Sequence, residues 1–268
     1  MTDNIRYDDG DFLNAQISNP NDNPISDEYT ANATWGRMLQ GNARFACGGA
    51  EHPRQDKQTR ESLIDGQHPD AAVLSCSDSR VPPEILFDQG LGDMFTVRTA
   101  GQILDDAVIG SLEYAVTNLG VSLLVVLGHE HCGAIGGVVA QLDIIADNAG
   151  IDLGAACAAE VTDSAIIDPV TLNENSGDSD ADDVFDIMND LVAASDSILV
   201  RSAGASILAA REARLCGTDD FERVHIARTI EALVNRSDIL QQGLASQRLT
   251  IVGARYLLTT GEIEVLSF

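Results

Sequence analysis

Basic side chains are scarce in this 268-residue chain: 16 Lys and Arg stand against 42 Asp and Glu, a formal charge of -26 at pH 7. A field of that sign repels phosphate backbones and anionic lipid, which excludes a nucleic-acid partner and a membrane-surface role. Long apolar runs are missing as well. No stretch is long enough to span a bilayer and the N-terminus has no signal-peptide core, so the expected setting is the cytoplasm. The five cysteines, at 47, 76, 132, 157 and 216, are odd in number and widely spread, which argues against a disulfide framework and for free or metal-bound thiols. No internal repeat is present. Nucleotide loops are absent too. Gly128 and Gly133 have the spacing of a phosphate loop, yet Ala134-Ile135 stand where it needs Lys and Ser/Thr, and no G-x-G-x-x-G opens a helix after a strand. The run Asp178-Ser179-Asp180-Ala181-Asp182 begins like a calcium loop, but Asp183 replaces its glycine and Asn189 its closing Glu, so a solvated loop is expected there.

What is present fits one α/β domain over 31–268, preceded by an arm. Residues 1–30 are rich in Asp, Asn and Pro with little apolar periodicity, and a mobile arm is expected. Trp35, Met38, Leu39 and Phe45 fall at helical spacing before Gly48-Gly49 ends the pattern. Strands are expected at 71–76, 94–98, 122–127, 248–254 and 262–267, with helices near 83–87, 106–119, 133–147 and 221–242. An acidic insertion at about 150–200 has low hydrophobicity around 160–186. The run Ser122 to Leu127 is continuous Leu and Val after its serine, as in a strand covered on both faces. Alternating strand and helix patterns predict a mainly parallel central sheet flanked by helices, with an N-terminal helical arm.

Ligands of such sheets bind at the carboxyl ends of the strands. Two loops qualify: Cys76-Ser77-Asp78-Ser79-Arg80, and Gly128-His129-Glu130-His131-Cys132-Gly133. Together they offer two thiolates, an imidazole and a carboxylate, a donor set that suits Zn²⁺ in a tetrahedron. Singly, Cys76 and Cys132 read equally as small buried hydrophobes and His129 as a helix cap; the two loops together make the metal reading the stronger. His131 is placed outside the metal shell.

Cys76-x-Asp78-x-Arg80 followed some fifty residues on by His129-x-x-Cys132 resembles the zinc signature of the beta-class carbonic anhydrases, and the likeness runs on through residues 87–101 and 110–116. The resemblance implies reversible hydration of CO2 to bicarbonate and a proton, with hydroxide activated by zinc as nucleophile, in a homodimer or dimer of dimers. It makes Cys76, His129 and Cys132 the metal ligands. Asp78 then either takes the fourth position or pairs with Arg80 and leaves that position open, a balance that rising pH should tip toward the open form. Gln67 matches a glutamine that reaches substrate from the partner subunit. Phe95 and Tyr114 match aromatic positions of the CO2 pocket, with core packing the alternative for each, and Gly133 offers a backbone N–H to bicarbonate. Two positions depart from family members: Asn118 stands where some have a relay histidine, and Val73 stands where some have the tryptophan of an inhibitory bicarbonate site. The remaining alternatives are a CS2 or COS hydrolase on the same scaffold and a non-catalytic protein stapled by zinc.

Overall fold

The computed structural model describes residues 30–153 and 179–266. Nearly all of the arm at 1–30, and the middle of the acidic insertion, therefore lie outside the described residues. Helix α1 (Ala31–Ala46) starts where Thr30 caps the Ala33 amide. A short polar helix α2 (Lys57–Ser62) precedes strand β1 (Ala71–Cys76), α3 (Pro83–Leu86) and β2 (Met94–Thr99). A 3-10 turn at Ala100–Gln102 leads to α4 (Asp106–Thr117), β3 (Leu123–His129) and α5 (Gly133–Ala149). After the undescribed stretch come α6 (Ser179–Ala193), α7 (Ile198–Glu212), α8 (Thr218–Arg236), α9 (Asp238–Ala245), β4 (Thr250–Tyr256) and β5 (Ile263–Leu266).

The strands form one sheet in the order β2-β1-β3-β4-β5, in which only β5 runs antiparallel. Strands β1 and β3 are central and buried at every residue, which is why their sequences are unbroken apolar runs. One face is covered by α1, α3, α5, α6 and α7 through Met38, Leu86, Ile135, Met188 and Ile207. The other is covered by α4, α8 and α9 through Leu112, Ile226, Leu233 and Leu240. The expected mainly parallel sheet, flanked by helices and preceded by an N-terminal helix, is the observed one. Among the described residues no helix is long and apolar enough to cross a membrane.

Three expectations need correction. The acidic run at 178–182 is expected as a solvated loop, but from Ser179, where the described residues resume, the chain is helical and begins α6. The single helix expected at 221–242 is two, because Ser237 leaves the helical conformation (φ -131°, ψ 106°) and caps α9 through the Leu240 amide. The thiols are free at Cys47, Cys76 and Cys132, but Cys216 is disulfide-bonded.

Helix α1 is pinned by two neighbouring residues. The buried Asn42 donates to the carbonyls of Leu86 (3.1 Å) and Gly261 (2.9 Å) and accepts from the Ile263 amide (2.9 Å). Beside it, a Cβ on Gly41 would overlap the Phe87 carbonyl, whereas one on Gly36 would meet nothing. We expect Gly41→Ala to destabilise the protein by about 3 kcal/mol, the cost of forcing packed backbones apart. Gly36→Ala on the same helix should stabilise it by about 0.5–1 kcal/mol. Urea unfolding midpoints of the two variants, moving in opposite directions, check this reading.

Candidate functional site

The parallel register sets the ends of β1 and β3 side by side, pairing Ser75 with Leu127 just before both strands run out. Cys76 closes β1, His129 closes β3, and Cys132 follows as the N-cap of α5. Their donor atoms lie within 4.8 Å of one another and all three residues are buried. The sulfurs are 4.0 Å apart. The His129 Nδ1 sits 2.9 Å from the Glu130 carbonyl and donates to it, which leaves Nε2 as a lone-pair donor. That atom is buried with no hydrogen-bond partner. An imidazole nitrogen without a partner beside two converging sulfurs is the donor set of a metal site, and the residues fit a divalent metal.

The electrostatics agree. The hydrogen bond between the sulfurs draws the Cys76 thiol well below its ordinary pKa and pushes Cys132 up. Burial opposes charge on His129, but the Cys76 thiolate and the Glu130 carbonyl outweigh it and raise the imidazole's pKa. A cation would relieve all three groups at once.

Asp78 is the carboxylate of the site. Its oxygens take a fork of bonds from Arg80, from Nε at 2.9 Å and Nη2 at 2.6 Å, and the Arg80 amide adds a third at 2.9 Å. The Arg80 guanidinium holds this carboxyl well below the usual carboxylate range. Its nearest approach to His129 Nε2 is 4.0 Å, outside hydrogen-bond distance. Of the two arrangements left open for Asp78, the structure thus has the pairing with Arg80. Arg80 also reaches the His131 carbonyl (3.2 Å), tying the two loops together, while the His131 side chain itself is exposed and outside the cluster.

Gly133 is the first residue of α5, exposed, and a Cβ there would meet nothing within 4 Å. The remaining candidates are not gathered at the cluster within this chain. Gln67 is exposed on the surface, in a shallow depression with Leu63, Ile64, Leu91 and Gly92 just ahead of β2. Phe95 and Tyr114 do come together, ring centroids 6.1 Å apart. Phe95 aligns with Ala72, four residues before the Cys76 level, so the pair lies roughly 13 Å up the strand from the metal ligands. Tyr114 is 46% exposed, and the core-packing alternative for it is not observed.

Several residues that shape the site escaped the sequence reading. Arg98 donates to the carbonyls of Cys76 (2.9 Å) and Asp78 (2.7 Å) and so fixes the ligand loop. Gly101, at φ 63°, turns its amide toward the Cys76 sulfur (3.3 Å), and its carbonyl accepts from His225 (2.8 Å). The buried Glu222 accepts from the Cys132 amide (3.0 Å) and is paired with the buried Arg255 (2.8 Å). The i, i+3 spacing of Glu222 and His225 on one helix was the available signal, since two polar groups on an inward face need partners.

Residues 71–160 match the family model described as carbonic anhydrase. A carbonic anhydrase of Mycolicibacterium smegmatis is 40% identical over 248 residues, covering 92% of this chain and 96% of that protein. Carbonic anhydrase 2 of Mycobacterium tuberculosis is 36% identical over 242 residues, covering 90% and 92%. Among solved structures, the beta-carbonic anhydrase CcaA superposes with a TM-score of 0.53 at 21% identity, covering 87% of this chain and 95% of that one. That likeness bears on the fold.

The purified protein should carry about one divalent metal per chain. Cys76→Ala and Cys132→Ala should each carry almost none when assayed by elemental analysis after dialysis. Stoichiometric metal in both variants would remove this cluster as the metal site.

Proposed function

The chain belongs to the beta-class carbonic anhydrases, and on that premise we propose that it interconverts CO2 and bicarbonate with a zinc ion held by Cys76, His129 and Cys132. One observation supports this above others: an unpartnered, buried His129 Nε2 beside two sulfurs, next to a carboxylate that Arg80 holds off them. Two soft donors and one borderline donor favour zinc over magnesium, calcium or manganese. When bound, zinc supplies the Lewis acidity that lowers the pKa of a water from about 16 to near 7.

The chain's own residues do the rest. Asp78 stays ionised through the working pH range, so it is always an acceptor and can fix the direction of a water's O–H bond, turning the lone pair toward an incoming carbon. Arg80 keeps that carboxylate from taking the fourth position itself, since a two-bond fork is directional where a single charge is not. The amide of Gly133, at the start of α5, faces charge growing on oxygen as CO2 bends. Three protein donors with Asp78 restrained is the donor count of an open, catalytic site, whereas a structural staple uses four. The CS2 or COS reading gains no support, because the relatives matched over nearly their whole length are carbonic anhydrases. Cys76 and Cys132 must stay reduced to serve, which suits the cytoplasm expected from the sequence, although Cys216 is oxidised.

The working unit in this reading is a homodimer or a dimer of dimers. Strand β2 is an edge of the sheet and half-buried at all six residues, an open edge that calls for covering. Gln67, Phe95 and Tyr114 all lie on that side of the molecule. A dimer formed across it carries them toward the neighbour's metal, where Gln67 donates to substrate and the rings exclude water.

Stopped-flow CO2 hydration tests the proposal. Arg80→Ala should retain its metal and lose about 10²- to 10³-fold in kcat/KM; full activity in that variant would overturn the role given to the Asp78–Arg80 pair. Mixing Gln67→Ala with Cys76→Ala chains should restore part of the activity lost by each. No recovery after demonstrated subunit exchange would count against a site shared between subunits.

A further inference from the structure

The few cations of this chain are not spread evenly. Most described arginines are spent on carboxylates: Arg37 on Asp70, Arg44 on Asp88, Arg211 on Asp143, Arg223 on Glu264, and Arg255 on Glu222. Arg201, Arg228 and Arg236 instead line a single cleft of about 410 Å³ between α7, α8 and the loop after the 3-10 turn. Arg236 reaches out of it to the exposed Asp106 (3.0 Å). Among the described residues Arg201 donates only to the Ser195 carbonyl. Arg228 has no hydrogen bond or ion pair among the described residues. One carboxylate, Glu231, lines the same cleft. In a molecule of charge -26, two guanidiniums from different helices that face one hollow without a carboxylate partner form a local well for anions.

We propose that this cleft is a binding site, separate from the metal cluster, for a small organic phosphate. The charge of a phosphate monoester near neutral pH, about -1.5 to -2, matches the two guanidiniums that lack carboxylates, and the guanidinium fork fits phosphate oxygens two at a time. The rest of the wall is apolar or hydroxylic: Ile103, Leu104 and Ala232 on one hand, Ser202 and Thr229 on the other. A volume within the roughly 300–1,000 Å³ of small-molecule clefts leaves space for an organic body beyond the phosphate. The floor of the cleft includes His225, which is 2% exposed and bonded to the Ser206 hydroxyl (3.1 Å) and to the Gly101 carbonyl (2.8 Å). Because the Gly101 amide contacts the Cys76 sulfur, the site ends two hydrogen bonds from a metal ligand.

Isothermal titration of the metal-loaded full chain with phenyl phosphate, inorganic phosphate and benzoate at fixed ionic strength tests the proposal without using CO2 chemistry, so its failure and that of the enzymatic reading are separate results. Phenyl phosphate should bind saturably, at least tenfold tighter than benzoate, which has the same body and one charge, and tighter than inorganic phosphate, which has the charge and no body. The double variant Arg201→Gln, Arg228→Gln should weaken phenyl phosphate at least tenfold while keeping its metal content and its CO2 hydration rate; Arg201→Lys, Arg228→Lys should recover part of the loss. The proposal is overturned by the absence of saturable binding, by undiminished binding in the double variant, which would put the ligand at the metal, or by a change in assembly mass in that variant, which would make the arginines a contact between copies. Inorganic phosphate binding as tightly as phenyl phosphate would overturn the organic ligand.

Discussion

Two thiols and an imidazole buried within 4.8 Å of one another set the constraint that the surrounding structure answers. Two sulfurs 4.0 Å apart cannot both ionise in a poorly solvated place unless a cation lies between them. Around them the chain is built to hold the donors still before any ion arrives. Arg98 grips the carbonyls of the β1 loop, the Gly101 amide leans on one sulfur, and Glu222 takes the amide of Cys132. Glu222 is itself a buried anion placed behind two thiols, and that would be untenable alone. Arg255, 1% exposed, compensates it and reaches on to Glu264 at β5 and Asp219 at the start of α8. The electrostatics of the cluster thus run from the sheet ends to the far edge of the sheet, and supports of this kind orient a ligand set as much as the ligands themselves do.

The sheet was legible because buried parallel strands write themselves as unbroken apolar runs, and β1 and β3 have no exposed residue to interrupt them. The helices that escaped did so for physical reasons. Helix α2 buries nothing and has no periodicity to read. Beside Val200, Ile207 and Leu208, helix α7 buries the small residues Ala203, Gly204, Ser206 and Ala210, whose low hydrophobicity flattens the apolar stripe, although Gly204 lets the helix come close to Val192 and Leu142. The break at Ser237 was visible in principle, since Ser-Asp before an Ile-Leu pair is a helix start, but the apolar pattern runs through it. Cys216 looked like one more thiol because sequence carries no pairing information.

For the candidate site, local chemistry was readable and long-range chemistry was not. Cys76, Asp78 and Arg80 fall within five residues and His129 and Cys132 within four, so spacing alone joins them. Glu222 and Arg255 stand 90 or more residues from Cys132, are ordinary in type, and are defined only by what they touch. Gln67, Phe95 and Tyr114 are a third case. A single chain places them on the β2 side, away from the cluster, so one subunit alone does not bring them to the metal, and their role rests on the proposed dimer.

The acidic surface then takes on a meaning that composition could not give. A net charge of -26 repels anions from the molecule as a whole, and an enzyme needing to attract bicarbonate or a phosphate from solution would be hindered by it. CO2 carries no charge and feels no such barrier, while the bicarbonate and proton formed from it do: the field expels the anion and draws the proton toward surface carboxylates. Arg80 is exposed at the cluster itself, and its charge is committed to Asp78, so this guanidinium is not free to hold the product. The arginine-lined cleft inverts this arrangement. Among the described residues it keeps two guanidiniums free of carboxylates in a protein that has carboxylates in excess, and the anion proposed for it would have to be held by local geometry strong enough to overcome the field that helps the product leave.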